Sequence, residues 1–273
     1  MKKIAYMFIL VIFFITGCEE ELTNTELPYK KQLVVSSFIR QGNDSVQVRV
    51  TKTLPPLERY TFEKAKIDDA EVTIYQNGKE YKCTYIENGL YRTFIPGDVQ
   101  EGDIYDLEVK WQNKKVTSST FIPGTVKITG FDYTLNDDDY FSRELTGYVI
   151  FKPNPGEVYS STNDPWQYFD IYYDLGKDVK KYDQVNPDDE LKLEFYRTFI
   201  EQGEDPEKVL EKLKAAVVSY DTAVYDYIAH RNEYDGDFLF STSGTNIKWN
   251  VKGDGIGVFS GMNYTVEDVE IED

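Results

Sequence analysis

The chain has 273 residues, 41% of them hydrophobic, and its 30 Lys and Arg against 48 Asp and Glu leave a net charge of −18. That length builds one large or two ordinary domains with a real core, and the acidic balance argues against a nucleic-acid partner, because phosphate recognition runs on clustered Lys and Arg. One histidine and two cysteines remove most catalytic and metal-binding constellations built on those residues.

Lys2 and Lys3 precede an apolar run, Ile4 to Ile15, interrupted by Tyr6. As a helix this run rises about 18 Å, short of the roughly 30 Å hydrocarbon core of a bilayer, so residues 1–17 read as a signal peptide and not as a membrane span. Ile15-Thr16-Gly17-Cys18 resembles the bacterial lipobox, in which a peptidase cuts before the cysteine and the new N-terminal cysteine carries diacylglycerol and an amide-linked acyl chain such as palmitate. The competing reading is an ordinary secretory signal that ends near a cysteine. Each buried CH₂ contributes about 0.8 kcal/mol, so several acyl chains on Cys18 predict a permanently anchored protein. Glu19, Glu20 and Glu21 come directly after and are similar to the surface-export signal of Bacteroidota lipoproteins; residues 18–30 also read as a plain acidic tether.

From Leu33 to Phe121 the hydrophobic pattern has period two. Val46, Val48 and Val50 alternate with Gln47, Arg49 and Thr51, as in a half-buried strand. Strands are predicted at Leu33–Ile39, Ala70–Gln76, Lys79–Ile86, Leu90–Phe94, Ile104–Trp111 and Lys115–Phe121, with Asn77-Gly78 as a type I′ hairpin turn and Asn88-Gly89 and Gln112-Asn113 as further turns. This series predicts an immunoglobulin-like or transthyretin-like sandwich over residues 31–123. The connection from Pro55-Pro56 to Lys66 is long for such a domain and is either functional or a crossover between sheets.

Pro123-Gly124 marks a boundary to a second, mostly antiparallel β domain over 124–273, with strands at Thr146–Lys152, Trp166–Leu175, Leu191–Ile200 and Ile256–Ser260. Two short helices are predicted within it. One lies near 205–215, with Asp205 as N-cap, Pro206 at the first position and Val209, Leu210 and Leu213 as its apolar face. The other lies near 221–234 and places Val224, Tyr227, Ile228 and Tyr234 on one side.

No catalytic motif emerges. His230 sits beside the apolar face of a predicted helix and reads as a solvated side chain. Cys83 lies mid-strand, without a partner once Cys18 is lipidated, and reads as buried and inert. Gly253, Gly255, Gly257 and Gly261 fail the G-x-G-x-x-G fingerprint, since Val258 or Ser260 occupies the third glycine position and a strand, not a helix, comes next. The clusters Asp137–Asp139, Asp188–Glu190 and Asp235–Asp237 lack calcium-loop spacing and read as solvated loops, so no metal or other cofactor is expected. The aromatic content of 15% singles out Trp166, Tyr168 and Tyr172, which would share a strand face with Asp170 and suit sugar rings or peptide. Cross-strand tyrosine packing explains the same residues without a ligand.

The order of several motifs is similar to one known family. Leu33-Val34-Val35 begins the first strand, then come Asp69–Ile74, Gly89-Leu90-Tyr91-Arg92-Thr93 and Gly102–Val109, and Gly255-Ile256-Gly257-Val258-Phe259-Ser260-Gly261 stands near the end. Together with the lipobox this resembles the Bacteroidota lipoprotein family of domain of unknown function 4249. The resemblance implies no activity and no catalytic residues. It implies a setting like that of lipoproteins accompanying TonB-dependent transporters. The expectation is therefore an outer-membrane, surface-exposed, non-enzymatic accessory or ligand-binding lipoprotein. A surface glycoside hydrolase using two carboxylates and a structural component of an envelope assembly are the alternatives.

Overall fold

The computed structural model describes residues 29–137, 142–163, 180–181, 190–222, 225, 227 and 248–271. The first half forms the predicted hairpins. β1 (Leu33–Arg40) and β2 (Ser45–Lys52) turn Leu33, Val35, Ile39, Val46, Val48 and Val50 inward, all buried. In the long connection after β2, helix α1 (Phe62–Ala65) is capped by the Thr61 hydroxyl, which accepts from the Lys64 N–H. The connection proves to be a crossover between sheets. The buried Tyr91 phenol ties it down, accepting from the Ala70 N–H and donating to the Ile67 carbonyl, each at 3.0 Å.

β3 (Glu71–Gln76) and β4 (Lys79–Lys82) are joined through Asn77 and Gly78 at φ of 51° and 75°, the left-handed pair that a type I′ turn demands. The single strand expected over Lys79–Ile86 is instead two. The ladder breaks at Cys83, and β5 (Thr84–Glu87) leaves for a different sheet to pair with β6 (Leu90–Phe94). Asn88 and Gly89, at φ of 48° and 77°, make the next tight turn. β7 (Ile104–Trp111) and β8 (Lys114–Phe121) complete this part.

The second half is richer in strands than its sequence pattern indicates. It contains β9 (Lys127–Asp137), β10 (Ser142–Lys152), β11 (Glu157–Thr162), β12 (Lys180–Lys181), β13 (Leu191–Glu201), helix α2 (Pro206–Leu210), β14 (Lys214–Asp221), β15 (Lys252–Gly253) and β16 (Gly255–Asp268). The Asp205 cap of α2 is as expected, its carboxylate accepting from the Glu207 N–H at 3.2 Å. The helix ends five residues earlier than predicted, however, because Lys214 to Asp221 is a strand. Asp221 closes that strand, and Thr222 directly after it is in a 3₁₀ turn. Tyr225 and Tyr227 are helical, and the remainder of the segment expected to be helical to residue 234 lies outside the described residues, as does the strand expected over Trp166–Leu175.

The described strands form three sheets. The longest runs β12-β11-β14-β16-β1-β2-β6-β5; the others are β15-β8-β7-β3-β4 and β13-β10-β9. Among the described residues the pairings between strands are antiparallel with one exception, β1 beside β16, which run parallel from Leu33↔Gly255 to Arg40↔Met262. The eight-stranded sheet is therefore common to both halves of the chain, and its centre is closed by the C-terminal strand. The two smaller sheets stack side by side on one of its faces. The five-stranded sheet covers β1-β2-β6 around Val35, Val48, Ile74, Leu107 and Phe259. The three-stranded sheet and α2 cover β11-β14 around Leu145, Phe151, Tyr159, Phe195, Leu210 and Val217. The protein is mainly β, two sandwiches sharing one long sheet.

The glycines of β16 serve this closure. Gly257 has φ of 144°, and a Cβ there would stand 1.8 Å from the Val35 carbonyl oxygen; at Gly261 it would stand 1.9 Å from that of Phe121. Only glycine lets the strand pass so close to neighbouring backbone.

Candidate functional site

The outer face of the five-stranded sheet carries an open groove of about 520 Å³. Its floor comes from alternation. Tyr105, Leu107 and Val109 of β7 point into the core, so Asp106 and Glu108 point out. The register sets Asp106 between Tyr75 of β3 and Ser119 of β8, and Glu108 between Thr73 and Thr117. The third wall comes from the far end of the chain, where β15 pairs Lys252 with Thr117. Asn250 anchors that wall. Its Oδ1 accepts from the Phe259 N–H at 2.9 Å and its Nδ2 donates to the Phe259 carbonyl at 2.5 Å, while its own carbonyl accepts from Ser118 Oγ at 3.1 Å.

Glu108 is clamped by two ammonium groups, Lys110 Nζ on Oε1 and Lys115 Nζ on Oε2, each at 2.5 Å. Hydrogen bonds from these lysines hold its carboxyl below the usual glutamate range. The charged form of this carboxylate is favoured, and it serves as a hydrogen-bond acceptor. Exposed Asp106, Thr117 and Ser119, the Lys252 ammonium and the half-buried Tyr75 ring leave the groove with donors, acceptors and one aromatic surface. This is the equipment of a polar binding site.

A second polar cluster is structural. It lies on the seam where Phe121 to Val126 crosses from one sandwich to the other. Asp221, 5% exposed, accepts from Thr120 Oγ1 at 2.6 Å and from the Phe121 N–H at 3.2 Å, and Thr120 Oγ1 in turn accepts from the Gly261 N–H at 2.7 Å. Directly opposite Asp221 in the ladder stands Glu157, equally buried, which accepts from the Gly124 N–H at 2.8 Å and from the Tyr159 hydroxyl at 3.0 Å. Burial pushes the Glu157 carboxyl above its ordinary value against the pull of these hydrogen bonds. No group of three or more His, Cys, Asp or Glu suited to a metal ion occurs among the described residues.

Several residues singled out in the sequence, namely Cys18, Glu19, Glu20, Glu21, Trp166, Tyr168, Asp170, Tyr172 and His230, lie outside the described residues. Cys83 packs half-buried against the first core, and desolvation pushes its thiol up to about 12, which disfavours the reactive thiolate. The glycine run lies within β16, a strand packed on its neighbours, and not at the start of a helix. No described helix is long and apolar enough to cross a membrane. The groove itself was partly legible, because period two places Asp106 and Glu108 outward; the approach of residues 250–252 to β8 left no local signal.

The fold and site thus define a two-sandwich β protein with an open polar groove on one flank. Residues 19–268 match the family described as domain of unknown function DUF4249, and the chain belongs to that family. No curated protein matches it.

Proposed function

We propose that the chain is an outer-membrane lipoprotein, anchored through lipid on Cys18 and displayed at the cell surface under the direction of Glu19, Glu20 and Glu21. In this reading it captures a glycan or peptide without chemistry and serves as an accessory to a TonB-dependent transporter. The lysine-clamped Glu108 supports the binding part of the reading: it makes the groove carboxylate a fixed hydrogen-bond acceptor. The lipobox and its acidic sequel carry the anchoring part.

The test is a mild-detergent pull-down of the tagged, lipidated protein from its own outer membrane, with mass spectrometry of the co-purifying proteins. A stoichiometric transporter supports the accessory role, and an empty pull-down overturns it. Cys18→Ser should release the protein from the membrane fraction. On glycan and peptide arrays, Asp106→Ala and Trp166→Ala distinguish the groove from the aromatic segment around Asp170, because only the variant in the true site loses binding.

A further inference from the structure

The face of the eight-stranded sheet opposite the two smaller sheets is open over β2 and β6, where Gln47 is exposed and Phe94 is 66% exposed. Val48 and Tyr91 point into the core, so Arg49 and Arg92 point the other way, onto this face. Arg92 stands opposite Gln47 on one side and Thr84 on the other, and Arg49 is its diagonal neighbour across the β2–β6 pair. Beyond Arg49, the crossover between sheets folds back: the Phe62 ring lies 5.0 Å from the Arg49 guanidinium carbon, and Tyr60 meets Phe62 edge to face at 5.7 Å.

The electrostatics of this pair are unusual for so acidic a chain. The ion pairs among the described residues run from Lys64–Glu58 to Lys214–Asp268, and neither arginine takes part in one. Arg49 makes one hydrogen bond, from Nη1 to the Asn88 carbonyl at 3.1 Å. Arg92 makes none among the described residues, although it is half-buried, and the Nε of each arginine is buried without a partner. Both guanidinium groups leave donors unused on this face. A bound anion supplies the acceptors that these donors lack.

We propose that this face binds a uronate residue of an acidic polysaccharide through Arg92 and Arg49. The carboxylate meets the planar donor forks, the ring hydroxyls meet Gln47 and Thr84, and the apolar face of the sugar lies on Phe94. Aromatic flanks on both sides of the cation pair are what separate this site from one built for a free inorganic anion. The site is independent of the groove on the five-stranded sheet and does not rest on the function proposed for it.

The probe is polygalacturonate, with amylose as the neutral counterpart, in affinity electrophoresis and calorimetry of the full chain in detergent. Polygalacturonate should bind and amylose should not. Arg92→Gln should weaken polygalacturonate at least tenfold, Arg92→Lys less, and the groove variant Asp106→Ala not at all. Ligand-free Arg92→Gln should melt no lower than the parent, since it sheds an unpaired charge, and Arg49→Gln gives a second route to the same loss of binding. Failure of polygalacturonate to bind, equal binding of amylose, or unchanged affinity in folded Arg92→Gln overturns the proposal.

Discussion

The groove of the five-stranded sheet and the seam between the sandwiches both hold carboxylates, and they push them in opposite directions. In the groove Glu108 keeps contact with solvent and gains two lysines, so the charged form is favoured. On the seam Glu157 loses solvent and receives only neutral donors, the Gly124 N–H, the Asn154 amide and the Tyr159 hydroxyl, so its charge is disfavoured. Number of hydrogen bonds does not separate the two sites; the charge of the donors and access to water do. The acid whose neutral form is favoured therefore lies buried on the seam, while the acid on the open face has its charged form favoured.

Breaking the seam should have the strongest consequence. Gly261→Ala drives a methyl group into the Phe121 carbonyl, 1.9 Å away, and should cost about 3 kcal/mol or more by overpacking, read as a fall in urea midpoint. Asp221→Ala comes next. It strands the Thr120 hydroxyl and the Phe121 N–H inside the protein, a loss of roughly 2–3 kcal/mol. Asp221→Asn should recover part of it, because the amide oxygen still accepts.

Smaller effects separate the two acids through pH. A raised folded-state pKa at Glu157 means a contribution to stability that is complete at acid pH and is lost as pH rises through that raised value. Glu157→Gln should therefore flatten the decline in urea midpoint above the ordinary glutamate range. Glu108 has the opposite sign: its contribution is present above the ordinary glutamate range and is lost as pH falls through its lowered pKa. Glu108→Gln should give the smallest change of all, visible at low salt and screened at high salt. If both variants shift stability in the same pH direction, the contrast between the two regions is wrong.

What was legible in the sequence was local. Asn77-Gly78 and Asn88-Gly89 announce their turns because few other residues accept left-handed φ in sequence. The Asp205-Pro206 start of α2 comes from capping chemistry alone. The strand Lys214–Asp221 escaped because Ala215 to Tyr220 is buried on both faces of the sheet, and a continuous apolar run carries no period by which to tell strand from helix. The break at Cys83 escaped for a related reason: β4 and β5 keep one period while changing sheets. The seam acids escaped because Glu157 and Asp221 look like any of the 48 acids in the chain until their burial is known.

The β character, the first-half hairpins, the outward set of residues on β7 and the likeness to a family could all be read from the order of residues alone. These are properties of near neighbours: alternation, turn chemistry and capping act over a few positions. It took the folded chain to place β16 parallel to β1, to wall the groove with residues 250–252, and to set two arginines on an open face with the crossover folded beside them. The strand pairings among these contacts join residues more than a hundred positions apart, and their energy is realised only when the whole sheet has closed around them.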